Sequence, residues 1–276
     1  MRLVALTAFA LLMFAANSLL CRMALHGGNV DAASFSLMRL ASGAAMLMLI
    51  ARSRTKDPRP SRGDWRSAFQ LFLYAVPFSF AYLGLTTGTG ALILFGAVQL
   101  TMLTAAWVGG ERPSTIQWTG VVLALGGLVY LLLPGLTAPP WREASLMAVA
   151  GVAWGFYSLR GRSGGDPIAR NAGNFLRTVP MALVVLLLWW PDLRVDGRGV
   201  ALAVASGALA SAIGYAAWYA ALKHLTATHA SVLQLNVPVI AAVLGLLLLE
   251  ETLTWRLVLA ASLVLGGVAL AVLRRR

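Results

Sequence analysis

The sequence predicts an all-α integral membrane protein in which ten transmembrane helices form two inverted five-helix repeats. Three observations lead there: an apolar composition, ten apolar runs of spanning length, and landmarks that recur at a fixed offset. Of 276 residues, 59% are hydrophobic and 12% charged, about half the charged share of an ordinary soluble domain. A water-soluble fold of this size would have too little polar surface to cover itself.

A helix crosses the hydrocarbon with roughly 20 apolar residues. Such runs occupy 3–25, 32–51, 66–85, 89–109, 116–134, 143–159, 168–190, 198–221, 229–249 and 254–273. Backbone amides cannot stay unpaired in lipid, which leaves helices and closed barrels, and these runs are too long and continuously apolar for barrel strands. The first run follows Met1-Arg2 without a clear small-residue cleavage site, so it reads as a span rather than a leader.

The formal charge of +12 is sorted by side of the membrane, which speaks against a nucleic-acid partner. With the N-terminus inside, Arg2, Arg52, Arg54, Lys56, Arg59, Arg62, Arg66, Arg112, Arg160, Arg162, Arg170, Lys223 and Arg274, Arg275 and Arg276 share one face. Only Arg142, Arg194, Arg198 and Arg256 take the other. The positive-inside rule then places both termini in the cytoplasm.

At an offset of 140, Glu111 falls on Glu251, Gly126-Gly127 on Gly266-Gly267, Leu123 and Leu125 on Leu263 and Leu265, and Ser18-Leu19 on Ser158-Leu159. At 138, Arg39 falls on Arg177. The expected units are residues 1–137 and 141–276, each with five spans. Five is odd, so the second copy enters the membrane from the opposite side, an arrangement that recurs in secondary transporters.

Several marks resemble the drug/metabolite transporter superfamily, specifically its ten-helix branch with two EamA-type repeats. They are Trp154-Gly155 in the sixth span, with Phe14-Ala15-Ala16-Asn17 in the equivalent slot of the first; the Arg of each second span; Ala221 to Ala227 leading into Ala230-Ser231; and Glu251-Thr252-Leu253. Phe14-Ala15 departs from the usual Trp-Gly. The resemblance covers essentially the whole chain and implies an exporter in the cell inner (plasma) membrane, most like the branch that exports aromatic amino acids. It implies alternating access, a small-molecule substrate, no enzymatic activity, no cofactor and a monomer.

Polar and aromatic residues near midplane should face the bundle interior. Depth selects Asn17; Phe78, Ser79 and Tyr82; Phe95 and Gln99; Trp154 and Tyr157; Tyr215, Trp218 and Tyr219; and Gln234 and Asn236 as substrate-binding candidates. Phe78/Tyr82, Trp154/Tyr157 and Tyr215/Tyr219 are spaced to share helix faces. Gln99, Gln234 and Asn236 serve equally well as interhelical hydrogen-bonding groups. Trp65, Trp141, Trp189, Trp190 and Trp255 suit the interfacial belt. Pro77, Pro180 and Pro238 interrupt apolar runs as kinks, either hinges or fixed bends.

All ten acidic residues fall in loops or at span ends, which disfavours proton-coupled export of cations. Arg39 and Arg177 are symmetric intramembrane charges: they hold an anionic group, or they snorkel and cap carbonyls. The first reading gives an alternative, a carrier of phosphorylated or anionic metabolites. His26, His224 and His229 are too scattered for a metal site. Glu111 and Glu251 read as turn architecture, Ser114 and Gln117 as a capping box, and both Gly-Gly pairs as close-packing surfaces.

Overall fold

The computed structural model describes residues 2–54, 63–110, 112, 114–135, 137–161, 166–222, 224–225, 230 and 233–273. Lys56, Arg59, Arg62, Glu111, Arg162, Lys223, Thr226, Ala227, His229, Ser231, Arg274, Arg275 and Arg276 lie outside them. The helices are α1 (Arg2–His26), α2 (Ala32–Arg54), α3 (Trp65–Ala81), α4 (Thr87–Val108) and α5 (Thr115–Leu132), then α6 (Trp141–Arg160), α7 (Pro167–Leu188), α8 (Gly197–Leu222), α9 (Asn236–Leu249) and α10 (Trp255–Leu273). Seven are long and apolar enough to cross a membrane. The others are α3, with 17 residues, α9, with 14, and α6, which carries Arg142, Glu143 and Arg160.

The acids gathered at span ends have a local reason. Asp31 accepts from the backbone N–H of Ala33 and Ser34 at the start of α2. Asp166 does so from Ile168 in α7, Asp64 from Ser67 in α3, and Asp196 from Gly199 in α8. Each carboxylate meets orphan donors at the positive end of a helix. Ser114 and Gln117 close the expected capping box on α5. Asp31 and Asp196 also clamp two loops together. The backbone N–H of Asp31 donates to the Arg194 carbonyl, that of Asp196 to the Asn29 carbonyl, and Val30 bridges Val195.

Helix contacts follow one rule of exchange. Contacts of α3 with α6 match those of α8 with α1; α4 with α6 matches α9 with α1; and α3 with α7 matches α8 with α2. The pairs α2/α7, α4/α9 and α5/α10 map onto themselves. Swapping the first five helices for the last five therefore preserves these contacts, as a two-fold relation between repeats requires.

The α5/α10 pair rests on small residues, which permit close backbone approach where lipid tails provide no hydrophobic drive. A Cβ on Gly120 would lie 2.4 Å from the Gly267 carbonyl oxygen, and one on Gly267 2.5 Å from that of Gly120. The Gly-Gly pairs are only half as expected. Gly127 and Gly267 pack, whereas Gly126 and Gly266, one helical step round, face open space.

Gly120→Ala and Gly267→Ala should therefore each destabilise the detergent-solubilised protein, by about 1–3 kcal/mol as in overpacked cores. Gly126→Ala and Gly266→Ala should leave its melting temperature unchanged or raised, since Ala favours a helix over Gly by about 1 kcal/mol. Thermal melts of the four variants check this.

Candidate functional site

Trp154, on the inner face of α6, joins an aromatic column running through the bundle. Its ring centroid lies 4.7 Å from Tyr74, 5.4 Å from Tyr157 and 5.1 Å from Tyr215. Tyr74 continues to Phe78 at 5.4 Å and Phe78 to Tyr82 at 4.8 Å. Phe14 closes the other side, 5.9 Å from Tyr215 and 5.7 Å from Trp218. Rings stacked or set edge-to-face at such distances hold one another in place.

Two cavities meet at Trp154 and Tyr215. The larger, about 270 Å³, is lined by Phe14, Met102, Trp154, Ser158, Gly161, Tyr215, Trp218, Tyr219, Leu222, Leu225, Ala230 and Gln234. It reaches the C-terminal ends of α6 and α8 at Gly161, Leu222 and Leu225, beside Arg160. Beyond it lies a chamber of about 20 Å³, room for roughly one water, walled by Phe14, Asn17, Ser18, Tyr74, Phe78, Leu94, Phe95, Trp154, Ala210 and Tyr215.

A separate polar pocket of about 180 Å³ adjoins the large cavity at Gly161 and Tyr219. Here the Tyr157 hydroxyl donates to Asn171 Oδ1 and accepts from Asn174 Nδ2, the latter at 3.2 Å. Arg170 Nη2 donates to the Gly161 carbonyl at 2.6 Å. Asp64, at the rim, accepts from Ser67 Oγ at 2.7 Å. Burial pushes the Asp64 carboxyl up, but bonds from Ser67 and the Arg66 backbone and the Arg160 charge outweigh it and hold it below its ordinary value.

The expected residues divide accordingly. Asn17, Phe78 and Phe95 wall the small chamber; Trp218, Tyr219 and Gln234 the large cavity; Trp154 and Tyr215 both; Tyr157 the polar pocket. Four residues lie outside these walls. Ser79 is buried, donating to the Ala75 carbonyl at 3.0 Å. Tyr82 is buried at the far end of the column, donating to the Thr87 carbonyl, and Gln99 is buried within α4. Asn236 is exposed, at the start of α9, and donates through Nδ2 to the Leu233 carbonyl at 3.0 Å. The sequence reading omitted Tyr74, although it stands one turn before Phe78 on the same stripe.

Arg39 and Arg177 do not share a role. Arg39 is 1% exposed, lies over the rings of Phe78 at 4.7 Å and Tyr74 at 5.1 Å, and donates through Nη2 to the Tyr74 hydroxyl at 2.9 Å. That hydroxyl also accepts from Asn17 Nδ2 at 3.2 Å, while Asn17 Oδ1 accepts from Ser206 Oγ at 2.6 Å. Arg177 is only half-buried, caps the Gly173 carbonyl at 2.9 Å and lies beside Trp65. Its position allows it to reach toward a helix end; that of Arg39 does not.

The interrupted helices also differ in kind. Pro77 and Pro180 are interior to α3 and α7. Pro238 is the third residue of α9 and has no N–H for the carbonyl of Gln234, so the helical turn at Leu233-Gln234 breaks at Leu235 before α9 begins. An unforeseen interruption is the π-helical stretch Ala205–Ile213 within α8. It crosses α2 where a Cβ on Gly207 would stand 2.1 Å from the Arg39 carbonyl oxygen, and such stretches cluster at functional sites.

The opposite face is tied shut. Arg22 Nε pairs with Glu251 Oε1 at 3.4 Å, and Arg22 Nη1 donates to the carbonyls of Tyr82 and Leu83 at 2.9 and 3.1 Å. Glu251 accepts twice from the Thr87 N–H, at 3.0 and 2.8 Å. The end of α1, the α3–α4 turn and the α9–α10 turn are thereby joined, giving Glu251 a role beyond turn architecture.

The model of the EamA-like transporter family matches residues 1–133 and again 141–273. An uncharacterised protein of Pseudomonas aeruginosa is 54% identical, covering 98% of this chain and 94% of that one. The threonine/homoserine exporter RhtA of Salmonella typhimurium is 30% identical over 75% of this chain and 66% of its own. A probable terminal-alkyne amino-acid exporter of Streptantibioticus cattleyicolor is 26% identical over 90% and 86%. A solved crystal structure, 21% identical, matches with a TM-score of 0.71 over 99% of both chains, a likeness of fold alone. With the ten helices named above paired as exchangeable halves among the described residues and both halves matched by one family, the chain belongs to the EamA-like transporter family and is a membrane transporter, not an enzyme.

Proposed function

We propose that the protein exports amino acids with large apolar side chains, aromatic ones foremost, with methionine and threonine as further candidates. It works in the cell inner membrane as a single chain of two inverted repeats, residues 1–137 and 141–276, with both termini cytoplasmic. The observation that carries this reading is the cavity lined by Trp154, Tyr215, Trp218 and Tyr219, open on the arginine-rich face while Arg22 and Glu251 close the other. Apolar side chains gain from burial against such rings, and the Tyr215 hydroxyl, buried and without a hydrogen-bond partner, is available to a bound polar group. The printed substrates of two relatives, threonine/homoserine and a terminal-alkyne amino acid, support the amino-acid class.

Alternating access then consists of breaking the Arg22–Glu251 tie while the cavity behind Trp154 closes. The anionic-metabolite alternative loses its two arginines, since Arg39 sits behind Tyr74 and Phe78 and Arg177 is occupied at Gly173. Arg39 instead positions Tyr74, and through it Asn17, in the chamber wall.

Vesicles reconstituted with the protein and loaded with labelled phenylalanine should lose it faster than protein-free vesicles. Trp154→Ala should slow that efflux by roughly tenfold, the effect of one lost aromatic contact together with its buried area. No efflux of any large apolar amino acid would overturn the reading. Cys21, the sole cysteine, is buried beside Arg22, so Glu251→Gln should speed its alkylation by a membrane-impermeant maleimide from the closed face; an unchanged rate would contradict the tie. Tyr74→Phe, which leaves Arg39 Nη2 and Asn17 Nδ2 without their acceptor, should destabilise the protein by about 1–3 kcal/mol in a thermal melt.

A further inference from the structure

The aromatic cavity accounts for a side chain but not for the two charges every free amino acid carries. Moving either charge out of water without a partner is unfavourable by several kcal/mol, so a transporter of whole amino acids needs opposite charges beside its apolar wall. Among the described residues, such charges adjoin the cavity in one pocket. The pocket of about 180 Å³ brings Asp64, Arg160 and Arg170 together and shares Gly161 and Tyr219 with the aromatic cavity.

Its geometry is set from behind. Asp64 is fixed at the α3 N-terminus by Ser67, and its backbone N–H donates to Asn174 Oδ1 at 3.0 Å. Arg170 is anchored on the Gly161 carbonyl. Tyr157, Asn171 and Asn174 satisfy one another through the two bonds already described. The uncharged wall is bonded internally, and Asp64, Arg160 and Arg170 line the same space. At the border Gly161 has no side chain, and Tyr219 lines both spaces.

We infer that this pocket is the headgroup site for a zwitterionic α-amino acid, with its carboxylate between Arg160 and Arg170, its ammonium at Asp64, and its side chain passing Gly161 into the aromatic cavity. Guanidinium–carboxylate and ammonium–carboxylate bonds are the strong, charge-assisted kind, and opposite charges lining one pocket select for both ends of the ligand. This inference rests on the proposed amino-acid substrate and adds where selection between free and blocked amino acids occurs.

The test is ligand-induced thermal stabilisation of the purified full-length protein with phenylalanine, phenylalanine amide and N-acetylphenylalanine. Wild-type protein should favour phenylalanine over each blocked form by roughly tenfold in apparent Kd. Asp64→Asn keeps a good helix cap and should abolish the preference over N-acetylphenylalanine while retaining that over the amide. Arg160→Gln with Arg170→Gln should do the reverse. If wild-type protein binds all three equally, or both variants keep the wild-type ranking, the headgroup site is wrong and the aromatic cavity stands. If none of the three binds, the amino-acid reading falls, and this inference with it.

Discussion

A buried arginine with no carboxylate partner among the described residues is the constraint around which this bundle is organised. At 1% exposure Arg39 can neither reach water nor be left bare in a low-dielectric interior. Its charge lies between the faces of Tyr74 and Phe78, and one of its nitrogens bonds the Tyr74 hydroxyl. That hydroxyl takes a second bond from Asn17, which in turn accepts from Ser206. One guanidinium thus ties α2 to α3, α1 and α8, and Tyr74 and Phe78, the side chains that meet it, are chamber walls. The same contacts explain why α8 departs from a regular helix at Ala205–Ile213: Gly207 must pass the Arg39 backbone while Ser206 keeps its bond to Asn17.

The two faces differ by similar physics. Where α1 ends, Arg22 and Glu251 satisfy carbonyls and an N–H of two turns at once. At the other face the aromatic rings have no such closure, and the cavity persists. Polar bonds spanning both repeats close the end at Arg22 and Glu251, whereas the aromatic cavity lies toward the other.

Much of the fold was legible because lipid imposes it. Apolar runs located the helices α1 to α10 of the described residues, and the capping box at Ser114 and Gln117 appeared as read. Period alone could not say which glycine of Gly126-Gly127 faces α10, because the two residues differ by one helical step and only the partner helix chooses. Depth found Trp154, Tyr215, Trp218 and Tyr219 for the cavity. It also proposed Ser79, Tyr82, Gln99 and Asn236, since depth fixes how far along a helix a residue stands but not the direction in which it points. Repeat symmetry misled for Arg39 and Arg177, which align in sequence but differ in burial because only Arg39 meets the Tyr74 and Phe78 rings. The polar pocket escaped notice because Asp64, Arg160 and Arg170 come from three separate span ends that only the fold unites.

The central claim is that the aromatic cavity and the Arg22–Glu251 tie belong to opposite membrane faces of an antiparallel duplication. Side-specific labelling of single cysteines in a Cys21→Ser background tests it most directly, with Leu225→Cys at the cavity mouth and Thr137→Cys in the connection between repeats. The account predicts that an impermeant maleimide applied to intact cells labels Thr137→Cys and reaches Leu225→Cys only after the membrane is opened. Labelling of both positions from the same side would contradict it.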